Sequence, residues 1–200
     1  MASNGYELSD TTTAAIVDLH NTFREMVANG TAQPQQPKAK RMLKLRYNES
    51  ISQTAQEIAD KCDFAHQPPS NSFGFDWIGQ NLYAEFYSQK MNLSDEDVRR
   101  LSERAVKTWY SEIENYVYPT CVKEVCGHFT QLVNDYTRYV GCGVSQCDTL
   151  RTLNVKNAVL VVCNYAPGGN IIGVPPYVTG EQQCPQNYPK KTVYGLCDSA

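Results

Sequence analysis

Helical periodicity in the first half of the chain, two β-dense runs in the second half and eight cysteines predict a disulfide-stapled α/β domain. Its helices are expected to bracket a small sheet in a three-layer α/β/α sandwich. Two hundred residues suffice for a substantial core, the size at which about 70% of a chain's surface is buried.

The first helix is expected over about Thr12 to Asn29. Ile16, Leu19, His20, Phe23 and Val27 recur at helical spacing, Asp10 or Thr11 is the expected cap, and Gly30 stops the helix. Pro34 and Pro37 block its continuation. A second helix should run from its N-cap Asn48 to Cys62, burying Ile51, Ala55, Ile58 and Cys62. The stretch Phe64 to Gly79 reads as loop because Pro68, Pro69, Asn71 and Gly74 punctuate it. It also holds Phe64, Phe73, Phe75 and Trp77, so parts of it must pack or bind something. A third helix starts near Ser94, with Asp97 completing a capping box and Val98, Leu101, Ala105, Trp109 and Ile113 facing inward. Beyond Pro119, Tyr139 to Ser145 and Ala158 to Tyr165 are dense in valine and aromatics and read as strands. The second is almost wholly apolar, as befits a central strand covered on both faces. Residues Ala166 to Ala200, rich in Pro and Gly, read as an irregular tail holding two cysteines.

A formal net charge of −3 with scattered lysines and arginines argues against nucleic acid as a partner. The one basic run, Lys38, Lys40, Arg41, Lys44 and Arg46, reads as a solvated loop. No apolar run approaches the roughly 20 residues that span a bilayer. Eight cysteines without CxxC clusters point to disulfides rather than zinc, hence to a secreted protein. Three sequons agree, at Asn29, Asn48 and Asn92. Met1 to Asp10 lack the basic and apolar regions of a signal peptide, so the chain is expected to be a mature form carrying an added start residue.

Six blocks resemble, in order, the signatures of the family that includes cysteine-rich secretory proteins, insect venom antigen five and plant pathogenesis-related class 1 proteins. They are His20-Asn21-Thr22-Phe23-Arg24, Cys62-Asp63-Phe64-Ala65-His66, Gly79-Gln80-Asn81-Leu82, Trp109-Tyr110-Ser111-Glu112, Gly127-His128-Phe129-Thr130-Gln131 and Cys163-Asn164-Tyr165-Ala166-Pro167-Gly168-Gly169-Asn170. Within that family the chain is most similar to the venom allergen-like proteins of parasitic worms. The resemblance covers residues 8–173 and leaves 174–200 as an extension closed by a disulfide. It implies an antiparallel sheet and the bridges Cys62–Cys147, Cys142–Cys163 and Cys121–Cys126, which leaves Cys184–Cys197.

The resemblance also implies a central cavity whose histidines, His66 and His128, hold a divalent metal such as zinc, with Gln80 and Glu112 behind the rings. Gln80 stands where most members have Glu and supplies no negative charge, so metal binding should be weak and no cofactor is required. Read without the family, His66 is a loop histidine, His128 a helix-end residue and His20 a structural one. No Gly-x-Ser-x-Gly elbow, no HExxH helix and no unpaired thiol is expected, which argues against an enzyme. The resemblance further implies lipid carriage at two places. A fatty acid would lie between the first and third helices along Ile16, Leu19, Phe23, Val98, Leu101 and Ala105, residues that otherwise are plain helix–helix core. A sterol would lie in a flexible aromatic loop holding Ile78, Tyr83 and Phe86. The competing expectation is a secreted interaction module acting on host proteins.

Overall fold

A computed structural model describes residues 3–123 and 125–199. Its centre is an antiparallel sheet in the order β1 (Ser3–Tyr6), β6 (Tyr139–Leu150), β7 (Val155–Ala166) and β3 (Gly79–Phe86), with the two-residue β2 (Arg46–Tyr47) added parallel to β6. Helix α2 (Glu49–Ala59) covers one face. Helices α1 (Asp10–Asn29), α3 (Asp95–Ser111) and the short α4 (Gly127–Leu132) cover the other. The result is the expected three-layer α/β/α sandwich. A hairpin of β4 (Tyr116–Val117) and β5 (Thr120–Cys121) and another of β8 (Lys190–Lys191) and β9 (Cys197–Asp198) lie outside the sheet.

Side-chain alternation along the two long strands explains the layering. Val140, Cys142 and Val144 of β6 and Val159, Val161, Cys163 and Tyr165 of β7 point into the large core under α1, α3 and α4. Ala158, Leu160 and Val162 point the other way, into a smaller core under α2. Strand β7 is therefore buried on both faces. Four disulfides staple the frame: Cys62–Cys147, Cys121–Cys126, Cys142–Cys163 and Cys184–Cys197. Cys142–Cys163 joins β6 to β7 at directly opposed positions of the ladder.

Several boundaries differ from the sequence reading. Ser9, rather than Asp10 or Thr11, caps α1, its side chain accepting from the Thr12 N–H. Helix α2 ends at Ala59, and Cys62 lies beyond it with a φ of 52°, which no helix tolerates. Both long strands extend past their valine-rich centres. The largest correction is β3: the segment after Gly79, expected as a flexible aromatic loop, is an eight-residue edge strand paired with β7 from Gly79↔Tyr165 to Phe86↔Ala158. Its polar residues Gln80, Asn81 and Glu85 masked the alternation. Ser94 and Asp97 form the expected capping box on α3.

Two glycines let α2 lie against the sheet. A Cβ at Gly141 would stand 2.2 Å from the Ser52 nitrogen, and one at Gly143 would stand 2.4 Å from the Gln56 Cα. Because the helix sits so close, its polar side chains reach the β6 backbone between β1 and β2. Gln56 Oε1 accepts from the Val144 N–H at 2.9 Å, Gln56 Nε2 donates to the Val144 carbonyl at 3.1 Å, and Ser52 Oγ donates to the Cys142 carbonyl at 2.7 Å. Gly143→Ala should therefore lower stability by about 3 kcal/mol, read as a drop in the urea midpoint. Gly127→Ala, whose new methyl would meet nothing nearer than Asn170 Nδ2 at 3.8 Å, should change it by less than about 0.5 kcal/mol.

Candidate functional site

The polar residues of α1 turn inward and bind backbone. His20, Asn21 and Arg24 are all buried. His20 Nδ1 is 2.7 Å from the Ile16 carbonyl and its Nε2 is 2.9 Å from the Tyr165 hydroxyl. Asn21 brackets Leu45, donating to its carbonyl and accepting from its N–H. Arg24 donates to the carbonyls of Leu43, Leu132, Asn134 and Thr137. Burial lowers the Arg24 pKa to about 9. Burial likewise lowers that of His20 to about 4, although the bond to Ile16 opposes the shift. These residues hold the loops that carry the site.

Tyr165 and Asn81 continue this scaffold to the site itself. Asn81 Nδ2 donates to the Tyr165 hydroxyl and to the His128 carbonyl. At the start of α4, Glu112 accepts from the backbone N–H groups of His128 and Phe129 through Oε2. Its Oε1 is 2.6 Å from His128 Nδ1. A carboxylate only accepts, so Nδ1 carries the proton, and in the neutral ring Nε2 is the nitrogen with a free lone pair. His66 forms the matching pair on the other flank, its Nδ1 3.1 Å from Gln80 Oε1.

Gln80 is fully committed. Its oxygen also accepts from the Gln67 N–H, while its nitrogen donates to the Gln67 carbonyl and to Asn164 Oδ1. Asn164 Nδ2 donates to the Thr54 hydroxyl, whose own proton goes to the Ile51 carbonyl, and this fixes the orientation of the Asn164 amide. A Glu at position 80 would face two acceptors with no proton to offer. For a metal, each ring offers an Nε2 whose Nδ1 is oriented by a neighbour, the arrangement a ligand histidine needs. Yet among the described residues no three His, Cys, Asp or Glu side chains stand together as a ligand set. Each histidine offers one imidazole nitrogen, with no complete protein ligand set around either among the described residues.

Beside His66 and Gln80 opens a cavity of about 600 Å³. Pro68, Pro69, Trp77 and Ile78 give it apolar walls, and Gln131 and Asn170 add polar groups to those of His66 and Gln80. The sequence reading left out the proline pair, Trp77, Gln131 and Asn170 as site residues. The signal was the aromatic content of the proline-punctuated loop and the Gly168-Gly169-Asn170 end of the last signature block. Gln131 Oε1 accepts from the Gly169 N–H, Trp77 Nε1 donates to the Gly169 carbonyl, and Asn170 bridges Gly127 and Thr130, so the rim is tied to α4.

The two expected lipid sites are placed differently from each other. Of the sterol residues, Ile78 lines the cavity, but Tyr83 and Phe86 lie on β3 and project from opposite faces of the sheet. The three do not converge. Of the fatty-acid residues, Ile16, Val98, Leu101 and Ala105 are buried in the large core, with Leu19 and Phe23 packed on its margin and Phe23 stacked 3.9 Å from Tyr110. Among the sequons, Asn92 is exposed, Asn48 caps α2 through its side-chain oxygen, and Asn29 donates its side-chain N–H to the Tyr194 carbonyl.

A disulfide-stapled α/β/α sandwich, whose signature residues interlock around a cavity between α4 and β3, defines the class. The chain belongs to the cysteine-rich secretory protein family, whose profile matches residues 17–165. It is 34% identical over 178 residues to mouse peptidase inhibitor 16, covering 86% of this chain and about a third (31%) of that longer protein. It is 30% identical to salivary antigen-5 of Triatoma infestans, covering 98% of this chain and 86% of the relative. Among solved structures it resembles Schistosoma mansoni venom allergen-like protein 4 (TM-score 0.66, 30% identity, 88% of this chain and 98% of that one). It also resembles NaASP2, solved with Zn²⁺ (TM-score 0.72, 29% identity, 87% and 88%).

The buried His20 gives the fold a pH signature. Its folded pKa of about 4 lies below the ordinary 6.5, so the unfolded chain takes up the proton first. The neutral-ring contribution is complete above about pH 6.5, falls between pH 6.5 and 4 by about 3 kcal/mol, and falls no further below that. The urea midpoint of the wild type should therefore drop between pH 7 and 4.5 by more than that of His20→Gln.

Proposed function

We propose that this protein is a secreted, non-catalytic carrier of a lipid with an apolar body and one polar end, a sterol or a fatty acid. The observation that carries the reading is the cavity: its size suits a small ligand, Pro68, Pro69, Trp77 and Ile78 make much of its surface apolar, and polar side chains, Asp76 and Gln131 among them, line the rest. The flat face of Trp77 suits a rigid sterol ring, and His66, Gln80 or Asn170 would meet the hydroxyl or carboxylate. Four disulfides favour an oxidising, extracellular setting, as does the likeness to a salivary antigen. Against catalysis, no hydroxyl or thiol is hydrogen-bonded to His128 Nε2 among the described residues, and all eight cysteines are paired.

The test is equilibrium binding of cholesterol and palmitate to delipidated protein, competed by unlabelled ligand. Saturable binding in the micromolar range, about −8 kcal/mol, is expected. Trp77→Ala should weaken cholesterol about tenfold, whereas Tyr83→Ala with Phe86→Ala should leave it unchanged. Absence of saturable binding by folded protein would sink the carrier reading in favour of an interaction module.

The same site supports a weak metal function. Zinc, were it held by the Nε2 atoms of His66, on the cavity wall, and of His128, behind it, would supply a Lewis acid beside the cavity. Gln80→Glu should tighten zinc binding about tenfold by calorimetry, since a carboxylate behind the ring raises its basicity. The same change should cost about 1–3 kcal/mol of stability, because the Gln67 and Asn164 acceptors lose their donor. No change in zinc affinity would remove Gln80 from any metal role.

A further inference from the structure

The mouth of the cavity is built to sit on something apolar. Trp77, on its wall, is 60% exposed, and Phe73 is exposed a few residues before it. On the facing segment, Asn170 lines the cavity and the chain then turns through Ile171, Ile172, Gly173 and Val174. The Val174 N–H donates to the Ile171 carbonyl at 3.0 Å, and Gly173 takes a φ of +79°, so Ile172 occupies the tip of a tight turn. Ile172 is 100% exposed, with Ile171 and Val174 open beside it. The turn is anchored, not loose. The Gly168 N–H donates to the Trp77 carbonyl at 2.8 Å, Trp77 Nε1 donates to the Gly169 carbonyl, and Asn170 bridges Gly127 and Thr130.

The two exposed segments are poor in charge, with Asp76 the one carboxylate they bring to the cavity lining. Charged residues make up 20% of the chain, yet residues 167–180 contain none and residues 64–78 contain only Asp76. The two segments contribute no Lys or Arg of their own, Lys61 reaching only Gln67 and Arg138 only the Phe75 ring from outside them, and on a chain of net charge −3 that does not favour an anionic surface. An exposed tryptophan beside projecting aliphatic side chains fits the headgroup–acyl boundary of a neutral bilayer, where such side chains leave water without burying a charge.

The geometry points to a membrane-docking face: the Ile171–Val174 turn and the Trp77 loop insert into a zwitterionic bilayer and bring the mouth of the cavity against it. This rests on the carrier reading for its purpose, since a ligand nearly insoluble in water would then pass between bilayer and cavity without crossing water. The docking itself rests only on the rim.

The test is co-flotation of the full chain with phosphatidylcholine vesicles, with Trp emission quenched by bromine-labelled acyl chains. Alongside it, cholesterol binding is measured in vesicle-free solution. The wild type should float with the vesicles and its exposed Trp77 should be quenched. Ile172→Asp, which disturbs no packing, should lower vesicle affinity at least tenfold and leave solution binding of cholesterol unchanged. Adding phosphatidylserine should not strengthen docking. Failure of the wild type to float, equal flotation of Ile172→Asp, or docking that requires phosphatidylserine would each overturn the inference. A dimer in solution that Ile172→Asp dissolves, with no flotation, would overturn it in favour of self-association. Flotation lost in Ile172→Asp, with no cholesterol uptake by either protein, would keep the docking face and sink the carrier reading.

Discussion

One buried guanidinium holds this molecule together. Arg24, on the inner face of α1, reaches the carbonyls of Leu43, Leu132, Asn134 and Thr137, which come from the irregular segment before β2 and from the end of α4 with the turn after it. Such carbonyls, buried without partners, would each cost on the order of 1–3 kcal/mol. The nearby carboxyl of Asp135 is itself buried, which pushes its pKa up, though it accepts from Arg41 and from the Val178 N–H. Arg24 thus fixes the end of α4, and with it the placement of His128 and Gln131. The site is a consequence of a core interaction made some 100 residues earlier in the chain.

The same logic runs through the other signature residues. His20, Tyr165, Asn81 and the His128 carbonyl form a continuous chain of hydrogen bonds across the sandwich. Most residues of the blocks are spent on architecture, and only a few reach the cavity. A recurring motif in this fold therefore speaks first for shape. The cavity's character is set by residues between the blocks, Pro68, Pro69 and Trp77 above all.

The layers were legible because their patterns are strong. Helix α3 announces itself by a capping box and an apolar stripe, and β7 by an unbroken apolar run from Ala158 to Cys163. Strand β3 was not legible, since its inward positions include Gln80 and Asn81, polar side chains whose partners belong to distant segments. That error misplaced Tyr83 and Phe86, because residues in a loop can converge whereas neighbours on a strand alternate. The cavity was half legible. The aromatic loop signalled that something had to be packed or bound, but only three-dimensional placement brings it against Gln131 and Asn170.

The pairing of early with late segments also dictates when the chain can acquire its structure. Strand β1 finds its partner only at Val144 to Cys147, Leu43 bridges to Cys197, and Leu196 and Cys197 belong to the buried core. On a ribosome adding about 5–20 residues per second, α1 can meet α3 first, but its contacts with the sheet must wait on the order of ten seconds until β6 and β7 exist. The sheet that separates the two cores therefore closes only when segments from both halves of the chain are present, so its assembly is governed by contacts distant in sequence.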